Sequence, residues 1–386
     1  MKKTLLLSLT AIAALTISAS ASPVSFSGNV STFAQTTEIT GEDLFTAEST
    51  ALTTVGQLRA GQAFDNGIFV GGELTGTISP DAEDAGMRAT MATGRVDTKS
   101  GAAITQGFVG YKNELGSIKV GRQNLSKTVS PFAFSETWSI ATNGFDAVVA
   151  STDVVADTTI TAAYIKNASG LANLSEYSDV NGDNGVYALT ATNKTIPNFT
   201  ATGSYLFAQD ANDAGSLNGL IVDTEYDAGT VVGSIQAATI FGDATNENET
   251  YAVGVKAVAP VDADITVNAA YTFVSEGDVA LTNLGGAGTK TVLYTQMIAN
   301  DNYIALDNQT LVLGGSWNTP LGSVVSANYG YTIDGSLAEN DSQELDLVCS
   351  KNITKDISVM GAYVYTTDEA SDKGANTIRF IADYRF

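Results

Sequence analysis

Histidine is missing from this sequence of 386 residues, and cysteine occurs only once, as Cys349. Without histidine the chain can form neither a Ser-His-Asp triad nor a histidine metal site. A single cysteine excludes a disulfide framework and a thiolate zinc cluster within one chain. These absences remove the commonest catalytic and metal chemistry, and the sequence predicts no enzyme.

Positive charge is also scarce, with 19 Lys and Arg residues against 42 Asp and Glu residues and a formal net charge of -23. Such an acid excess opposes binding to nucleic acid, because a phosphate backbone needs a basic face. Only 6 prolines accompany 37 glycines, and the glycines lack the Gly-X-Y period of collagen. A weakly charged chain rich in glycine and threonine indicates many strands.

Long apolar runs are confined to the first residues of the chain. Lys2 and Lys3 precede an apolar run over 5–17, and Ala19-Ser20-Ala21 has the small-x-small pattern of a cleavage site. This arrangement predicts a secretory signal peptide over 1–21 that is removed from the mature chain. The alternative, a membrane anchor, is disfavoured because the run is shorter than the roughly 20 residues that a spanning helix needs.

After residue 21, apolar and polar residues alternate along most of the sequence, which is the period of a β-strand. Ile265, Val267 and Tyr271, for example, would share one face of a strand over 263–274. The alternating segments run to ten or more residues, as in 375–386. That length fits a tilted membrane strand of about 9–11 residues better than a globular strand of about 5–6.

Short and long connections follow one another in strict alternation. Eight short links lie near 65–67, 113–114, 153–157, 195–198, 228–229, 260–262, 319–321 and 354–355. Nine longer links cover 34–52, 80–101, 125–144, 167–184, 209–216, 242–249, 275–308, 334–342 and 367–374. Short periplasmic turns and long outer loops are typical of outer-membrane barrels. The pattern predicts an all-β, closed antiparallel transmembrane barrel over 22–386 with about 18 strands. Sixteen is the alternative if one hairpin belongs to a loop, and segment 289–299 could instead add a strand.

Charged residues fall on the polar face in the middle of several predicted strands, where they need water. In a closed barrel that water fills the lumen. The carboxylates Asp223 and Asp346 and the cations Arg59, Lys119 and Arg379 are examples. These positions favour a water-filled channel.

Two stretches resemble the Gram-negative porins. Residues 107–123 end in Gly121-Arg122-Gln123, and residues 378–386 alternate up to a final Phe386. The stretch 130–145 is most similar to the eighteen-stranded branch of substrate-specific and major outer-membrane-protein porins. The resemblance implies an outer-membrane barrel in contact with outer-membrane lipids, passive diffusion of small hydrophilic solutes, and a homotrimer. It also implies that Tyr384 and Phe386 are part of the signal for the barrel-insertion machinery.

In that family, a loop after the Gly-Arg-Gln motif folds into the pore, which here is the loop 125–144 with Glu136 and Trp138. The alternative is that this loop folds outward. The predicted constriction set has a basic part and an acidic part: Arg59, Lys119, Arg122 and Arg379 face Glu73, Glu136, Asp223 and Asp346. Arg122 shares the parity of Ile118 and Val120, which would direct it to lipid. Either a bulge at Gly121 shifts the parity, or Arg122 lies above the membrane.

Asp179, Asn181 and Asp183 resemble the start of a calcium-binding loop, because alternate oxygen-bearing side chains can surround one ion. The pattern lacks the glycine and the final glutamate of an EF-hand, so an acidic turn is the favoured interpretation and a calcium site is the alternative. The sequence predicts no other cofactor.

Loss of the two lysines of the leader takes the net charge from -23 to -25. Many carboxylates fall in the predicted outer loops: Glu38, Glu42, Asp43, Asp81, Glu83, Asp84, Glu176, Asp179, Asp183, Asp243, Glu247 and Glu249. Carboxylates at a pore mouth concentrate cations, which predicts a cation-preferring channel. The alternative function is a structural or adhesin barrel whose surface loops bind a partner.

Overall fold

A computed structural model describes residues 22–38, 43–46, 49–78, 100–136, 140–170, 174–211, 214–283, 290–335, 341–368 and 374–386. The predicted signal peptide, Trp138, and the loop carboxylates Glu42, Asp81, Glu83 and Asp84 lie outside these residues.

Eighteen long strands form the wall of the molecule. They are β1 Ser25–Thr37, β2 Thr50–Ala63, β3 Ile68–Ile78, β4 Gly101–Asn113, β5 Gly116–Gln123, β6 Phe145–Val155, β7 Thr158–Ser169, β8 Val186–Asn193, β9 Phe199–Ala208, β10 Leu217–Asp227, β11 Val232–Phe241, β12 Thr250–Pro260, β13 Ile265–Val274, β14 Asn308–Asn318, β15 Ser323–Asp334, β16 Ser342–Asn352, β17 Ile357–Asp368 and β18 Ala375–Arg385. A three-residue strand, Tyr177–Asp179, pairs only with the loop end of β7. Segment 289–299 adds no strand within its described part.

Every wall strand pairs antiparallel with its neighbours in sequence, and β18 pairs with β1. The closing register runs from Thr37 opposite Thr377 to Asn29 opposite Arg385. Beyond it, the N–H of Gly28 donates to the carbonyl of Phe386 at 2.9 Å, and the N–H of Phe386 donates back at 3.0 Å. The sheet is therefore a closed barrel, and the prediction of 18 strands rather than 16 is confirmed.

Side chains alternate between the two faces of this wall. Large apolar residues such as Ile235, Val253 and Leu313 are exposed on the outer face. Tyrosine and phenylalanine pairs lie near both ends of the strands, with ring centroids 5.9 Å apart for Tyr251 and Phe273. An apolar band between aromatic residues suits a lipid bilayer. Among the described residues, no helix is long and apolar enough to cross a membrane.

The buried core lies inside the barrel. It joins inward wall residues such as Ile165 and Leu206 to loop residues such as Phe132, Leu293 and Ile304. Two long loops therefore enter the lumen, and they position the candidate site.

Candidate pore constriction

The first inward loop follows β5. Gln123 Nε2 donates to the carbonyl of Ala147 at 2.9 Å, and this bond ties the start of the loop to β6. Gly121 before it has a φ of 126°, and a Cβ there would collide with the backbone of Gly107. Glycine is therefore required at the first position of the Gly-Arg-Gln motif.

This loop crosses the lumen. Phe132 packs on Gly219 of β10, where a Cβ would lie 3.0 Å from the ring. Thr190 Oγ1 on β8 donates to the carbonyl of Val129 at 2.9 Å. At the other side, Ile140 and its neighbour pack with Phe33 of β1. The predicted constriction loop thus lies inside the barrel over its described residues, and its control of the pore width stays a prediction.

A second inward loop follows β13, and its described residues are 275–283 and 290–307. Tyr294 Oη donates to Asp223 Oδ2 on β10 at 2.7 Å. Gln236 Nε2 on β11 donates to the carbonyl of Val292 at 3.2 Å. Further along, the N–H groups of Ile298 and Ala299 bind carboxylates of β16. The loop therefore runs along the inner wall, and no motif in the sequence pointed to it. Its length and its apolar run Val292-Leu293 were the available signals.

The two loops are joined by Asn283. Its Nδ2 donates to the carbonyl of Phe134 at 2.8 Å and to Glu136 Oε1 at 3.0 Å. Its Oδ1 accepts the N–H of Phe134 at 3.0 Å. The first loop is thus positioned partly by the second.

A cluster of buried charges lies where the second loop meets the wall. Lys290 Nζ is 2.6 Å from Asp301 Oδ1 and donates to the carbonyl of Ile298 at 3.1 Å. Arg379 Nε and Nη2 donate to Gln35 Oε1 at 3.0 and 2.8 Å, and the guanidinium lies 4.9 Å from the centre of the Phe33 ring. Asp346 interacts with both Lys290 and Arg379. Of the predicted constriction residues, Glu136, Asp346 and Arg379 therefore belong to one network.

Arg59, Glu73 and Lys119 form a separate group on β2–β5. Arg59 Nε is 2.6 Å from Glu73 Oε2, and Thr105 Oγ1 donates to Glu73 Oε1 at 2.6 Å. Lys119 Nζ lies 4.9 Å from the centre of the Phe108 ring. Arg59 and Lys119 both line a cavity of about 570 Å³. The predicted basic part is thus divided between two places in the barrel.

The sequence model of a protein family, described as Gram-negative porin, matches residues 8–372 of this chain. This chain belongs to the Gram-negative porins. It is an outer-membrane, multi-pass β-barrel, and its family and fold point to a channel for small solutes rather than to an enzyme. No curated protein matches the sequence significantly.

Solved structures of other porins share the fold of this porin. Pseudomonas aeruginosa OccK8 (OprE) superposes with a TM-score of 0.76 at 11% identity over 94% of this chain and 98% of the other. Pseudomonas aeruginosa OpdK, solved with vanillate, gives 0.76 at 10% identity over 94% and 98%. A BenF-like porin from Pseudomonas fluorescens Pf-5 gives 0.75 at 12% identity over 94% and 98%.

The prediction that Arg122 lines the pore of this porin is wrong. Its pairing opposite Gly107 continues the register of Val120 opposite Val109, so no bulge shifts its parity and it faces outward. Two bonds of 2.9 and 3.2 Å join Arg122 to Asp146, and the guanidinium stacks 3.4 Å from the centre of the Tyr177 ring. The charge is paired and covered, which lowers the cost of an arginine on the outer face.

The pKa values of several ionisable groups in the porin's two inward loops are shifted from their ordinary values. Desolvation raises the pKa of Glu136 above its usual range, against the opposing effects of the Asn283 hydrogen bond and the Lys290 charge. Desolvation lowers the pKa of Lys127, whose Nζ lies 4.7 Å from the centre of the Phe134 ring. The pKa of Tyr294 is raised by burial and by its bond to Asp223. The Glu136 side chain is buried, the Tyr294 side chain is half-buried, and the Lys127 side chain is exposed.

The predicted insertion signal lies at the barrel seam. The rings of Tyr384 and Phe386 are exposed, with centroids 6.0 Å apart, and the Phe386 ring fills the space that a Cβ at Gly28 would need. Recognition of these rings by the insertion machinery stays a prediction.

The loop predicted as a calcium site already holds a cation from the protein. Lys166 Nζ is 2.8 Å from Asp179 Oδ1 and donates to the carbonyl of Gly182 at 2.6 Å. Asn181 Nδ2 donates to the carbonyls of Gly185 and Gln209. Within the described ranges, no group of three metal-ligating acidic side chains occurs. Calcium binding here stays a prediction, and the Lys166 ammonium would compete with it.

Proposed function

We propose that this protein is a water-filled diffusion channel for small hydrophilic solutes, with a preference for cations. The observation that carries the proposal is the pair of inward loops inside a closed lumen whose wall bears charged side chains. Passage through such a channel depends on radius and fixed charge rather than on catalytic groups.

The charges around the two loops support the cation preference. They include the carboxylates Glu136, Asp223, Glu225, Asp301, Glu344 and Asp346 and the cations Lys127, Lys256, Lys290 and Arg379. The cavity lined by Arg59 and Lys119 is basic, so it would favour anions instead. The acidic excess near the loops is the reason that we favour cations.

Single-channel recording in a planar bilayer tests the proposal. Purified protein should give stepwise conductance, and the reversal potential across a KCl gradient should have the sign of potassium preference. Uptake of uncharged sugars into liposomes should fall steeply with sugar size. A correctly folded barrel without conductance would contradict the channel itself, and an anion-selective reversal potential would contradict only the charge preference.

Two further proposals rest on the family resemblance and the leader pattern. The mature chain begins at Ser22 after removal of 1–21, and three copies assemble in the outer membrane. N-terminal sequencing of protein from membranes tests the first, and native mass spectrometry in mild detergent tests the second. A retained leader or a monomer would contradict them.

A further inference from the structure

A cleft lined mainly by hydroxyl groups lies between the first inward loop and the wall of the lumen. Its volume is about 260 Å³, and its lining consists of six hydroxyl side chains and two valines: Thr128, Val129, Val149, Ser151, Thr159, Thr161, Thr190 and Thr192. Thr161 and Thr190 are buried, whereas Thr159 is exposed, so the cleft has a closed end and an open end. A volume slightly below the roughly 300–1,000 Å³ of a drug-sized ligand pocket suits a small solute.

The strand register arranges the wall hydroxyls of this cleft in two rows. Ser151 of β6 lies opposite Thr161 of β7, and Thr161 lies opposite Thr190 of β8. Two residues further along the strands, Thr159 lies opposite Thr192. Neighbouring strands are about 4.8 Å apart, and alternate residues of one strand are about 6.6 Å apart. A solute must therefore carry several polar groups to contact both rows.

The hydroxyl groups of the cleft keep capacity for further hydrogen bonds. Thr190 Oγ1 donates to the carbonyl of Val129 at 2.9 Å, which leaves its oxygen as an acceptor. Ser151 and Thr161 share one hydrogen bond of 3.1 Å, which uses only one of their two protons. A hydroxyl group supplies one donor and two acceptor sites. The cleft can therefore both donate to a solute and accept from it, which is what the hydroxyl groups of a polyol require.

Among the described residues, no charged side chain lines this cleft. The Nζ of Lys119, on the neighbouring strand, lies over the ring of Phe108, 4.9 Å from its centre. The Nζ of Lys127 likewise lies over the ring of Phe134, 4.7 Å from its centre. At the open end, Asp153 accepts a hydrogen bond of 2.5 Å from a threonine of the lining. Transfer of an ion from water to a site without a countercharge is costly, so the cleft favours an uncharged solute.

We propose that this cleft is a binding subsite for a small uncharged polyol or monosaccharide inside the lumen. The two rows of hydroxyl groups pair with the hydroxyl groups of the solute. The methyl groups of the threonines and of Val129 and Val149 contact its C–H surface. The subsite rests on the proposed channel function for its role in transport, whereas binding to it does not require conduction.

Three substitutions in the cleft should weaken the binding of glucose. Thr161→Val and Thr192→Val each replace a hydroxyl group by a methyl group of similar size, and each should weaken binding about fivefold, the value of one net hydrogen bond. Ser151→Leu fills the cleft from β6 and should abolish binding. Thr266→Val, at a half-buried threonine of β13 outside the cleft, is the matched control. Heat-dependent gel mobility shows that each variant is folded before it is compared.

Saturation-transfer NMR on the protein in detergent measures this binding without conduction. The probes are glucose, gluconate, which adds a carboxylate, and dioxane, a six-membered ring without hydroxyl groups. Titrations of the wild type and of Thr266→Val should give tighter binding of glucose than of the other two probes, and the three cleft variants should lose that difference.

Equal glucose binding by the wild type and all three cleft variants would overturn the subsite, whether or not the protein conducts. Tighter binding of gluconate than of glucose would overturn the preference for an uncharged solute. A barrel that binds glucose in the cleft but does not conduct would contradict the channel function and support the subsite.

Discussion

At the scale of single residues, the face of the strand on which a charged residue lies decides whether its side chain points into the lumen or toward lipid. Arg122 lies one position from Gln123, yet Gln123 is buried under the first loop whereas Arg122 faces outward. The sequence indicated the outward parity, but the partners Asp146 and Tyr177 come from distant positions and no local pattern announces them. The residue could be placed on a face from sequence, and its environment could not.

Asp146→Ala should leave Arg122 as an unpaired charge on the outer face. We expect a loss of about 1–3 kcal/mol in folding free energy, between the cost of an arginine at the interface and at the membrane midplane. Urea-dependent folding into lipid vesicles measures this loss. The double variant Arg122→Leu with Asp146→Leu should recover most of it, and a double variant as unstable as the single one would contradict the argument. Asp356→Ala, in a surface ion pair of 3.7 Å, is the control.

The burial of Glu136 predicts how the stability of the folded protein changes with pH. Because burial raises its pKa in the folded protein, its contribution to stability is full below the ordinary carboxyl value of about 4.3 and is lost as the pH rises through the raised value. Glu136→Gln removes this loss. The Gln variant should therefore gain thermal stability over the wild type from acid toward neutral pH, measured by heat-dependent gel mobility. Glu114→Gln in an exposed turn should show no such trend, and a gain confined to acid pH would contradict the assignment.

At the scale of elements, the wall was predictable and the second inward loop was not. The number of strands could be predicted from three features: the length of the strands, the alternation of apolar and polar residues, and the alternation of short and long links. Each strand repeats the same pattern, so the count did not depend on any one of them. The loop 125–144 was found through its Gly-Arg-Gln motif. The loop 275–307 has no motif, and it enters the lumen because its apolar residues find partners on β10–β12 and on β16 and β17, which are remote in sequence.

Replacing residues 127–135 with a short Gly-Ser linker should raise the conductance, because the loop then no longer crosses the lumen. Asn283 loses its partner Phe134 in this variant, so the second loop should also loosen and the current should become noisier. The same replacement in the outer link 242–249, which does not cross the lumen although Asn246 and Asn248 donate to Asp278, should change the conductance less. Wild-type conductance in a folded variant of 127–135 would show that this loop does not limit the pore.

At the scale of the whole molecule, charge is distributed between the mouth and the interior. Carboxylates of the outer links are exposed, as Asp43, Glu176 and Asp243 show, whereas those beside the second loop are buried. The total charge can be counted from the sequence, but this division cannot, because only the folded loops decide which carboxylates meet water. The charges at the pore mouth and those in the interior should therefore contribute differently to ion selectivity as the salt concentration changes.

Cation preference should weaken as salt increases, since the Debye length shrinks from about 30 Å at 0.01 M to about 3 Å at 1 M. Exposed mouth charges are screened over that range, whereas charges at the narrow passage act on ions at contact. Neutralising Asp243, Glu247 and Glu249 should reduce the reversal potential at low salt and change it little at 1 M. Glu73→Gln, which removes a carboxylate bonded to Arg59 inside the barrel, is the comparison. If the triple variant keeps the wild-type potential at low salt, the interior charges alone set the selectivity. Anion preference at low salt, where the mouth acts most strongly, would contradict the proposed sign.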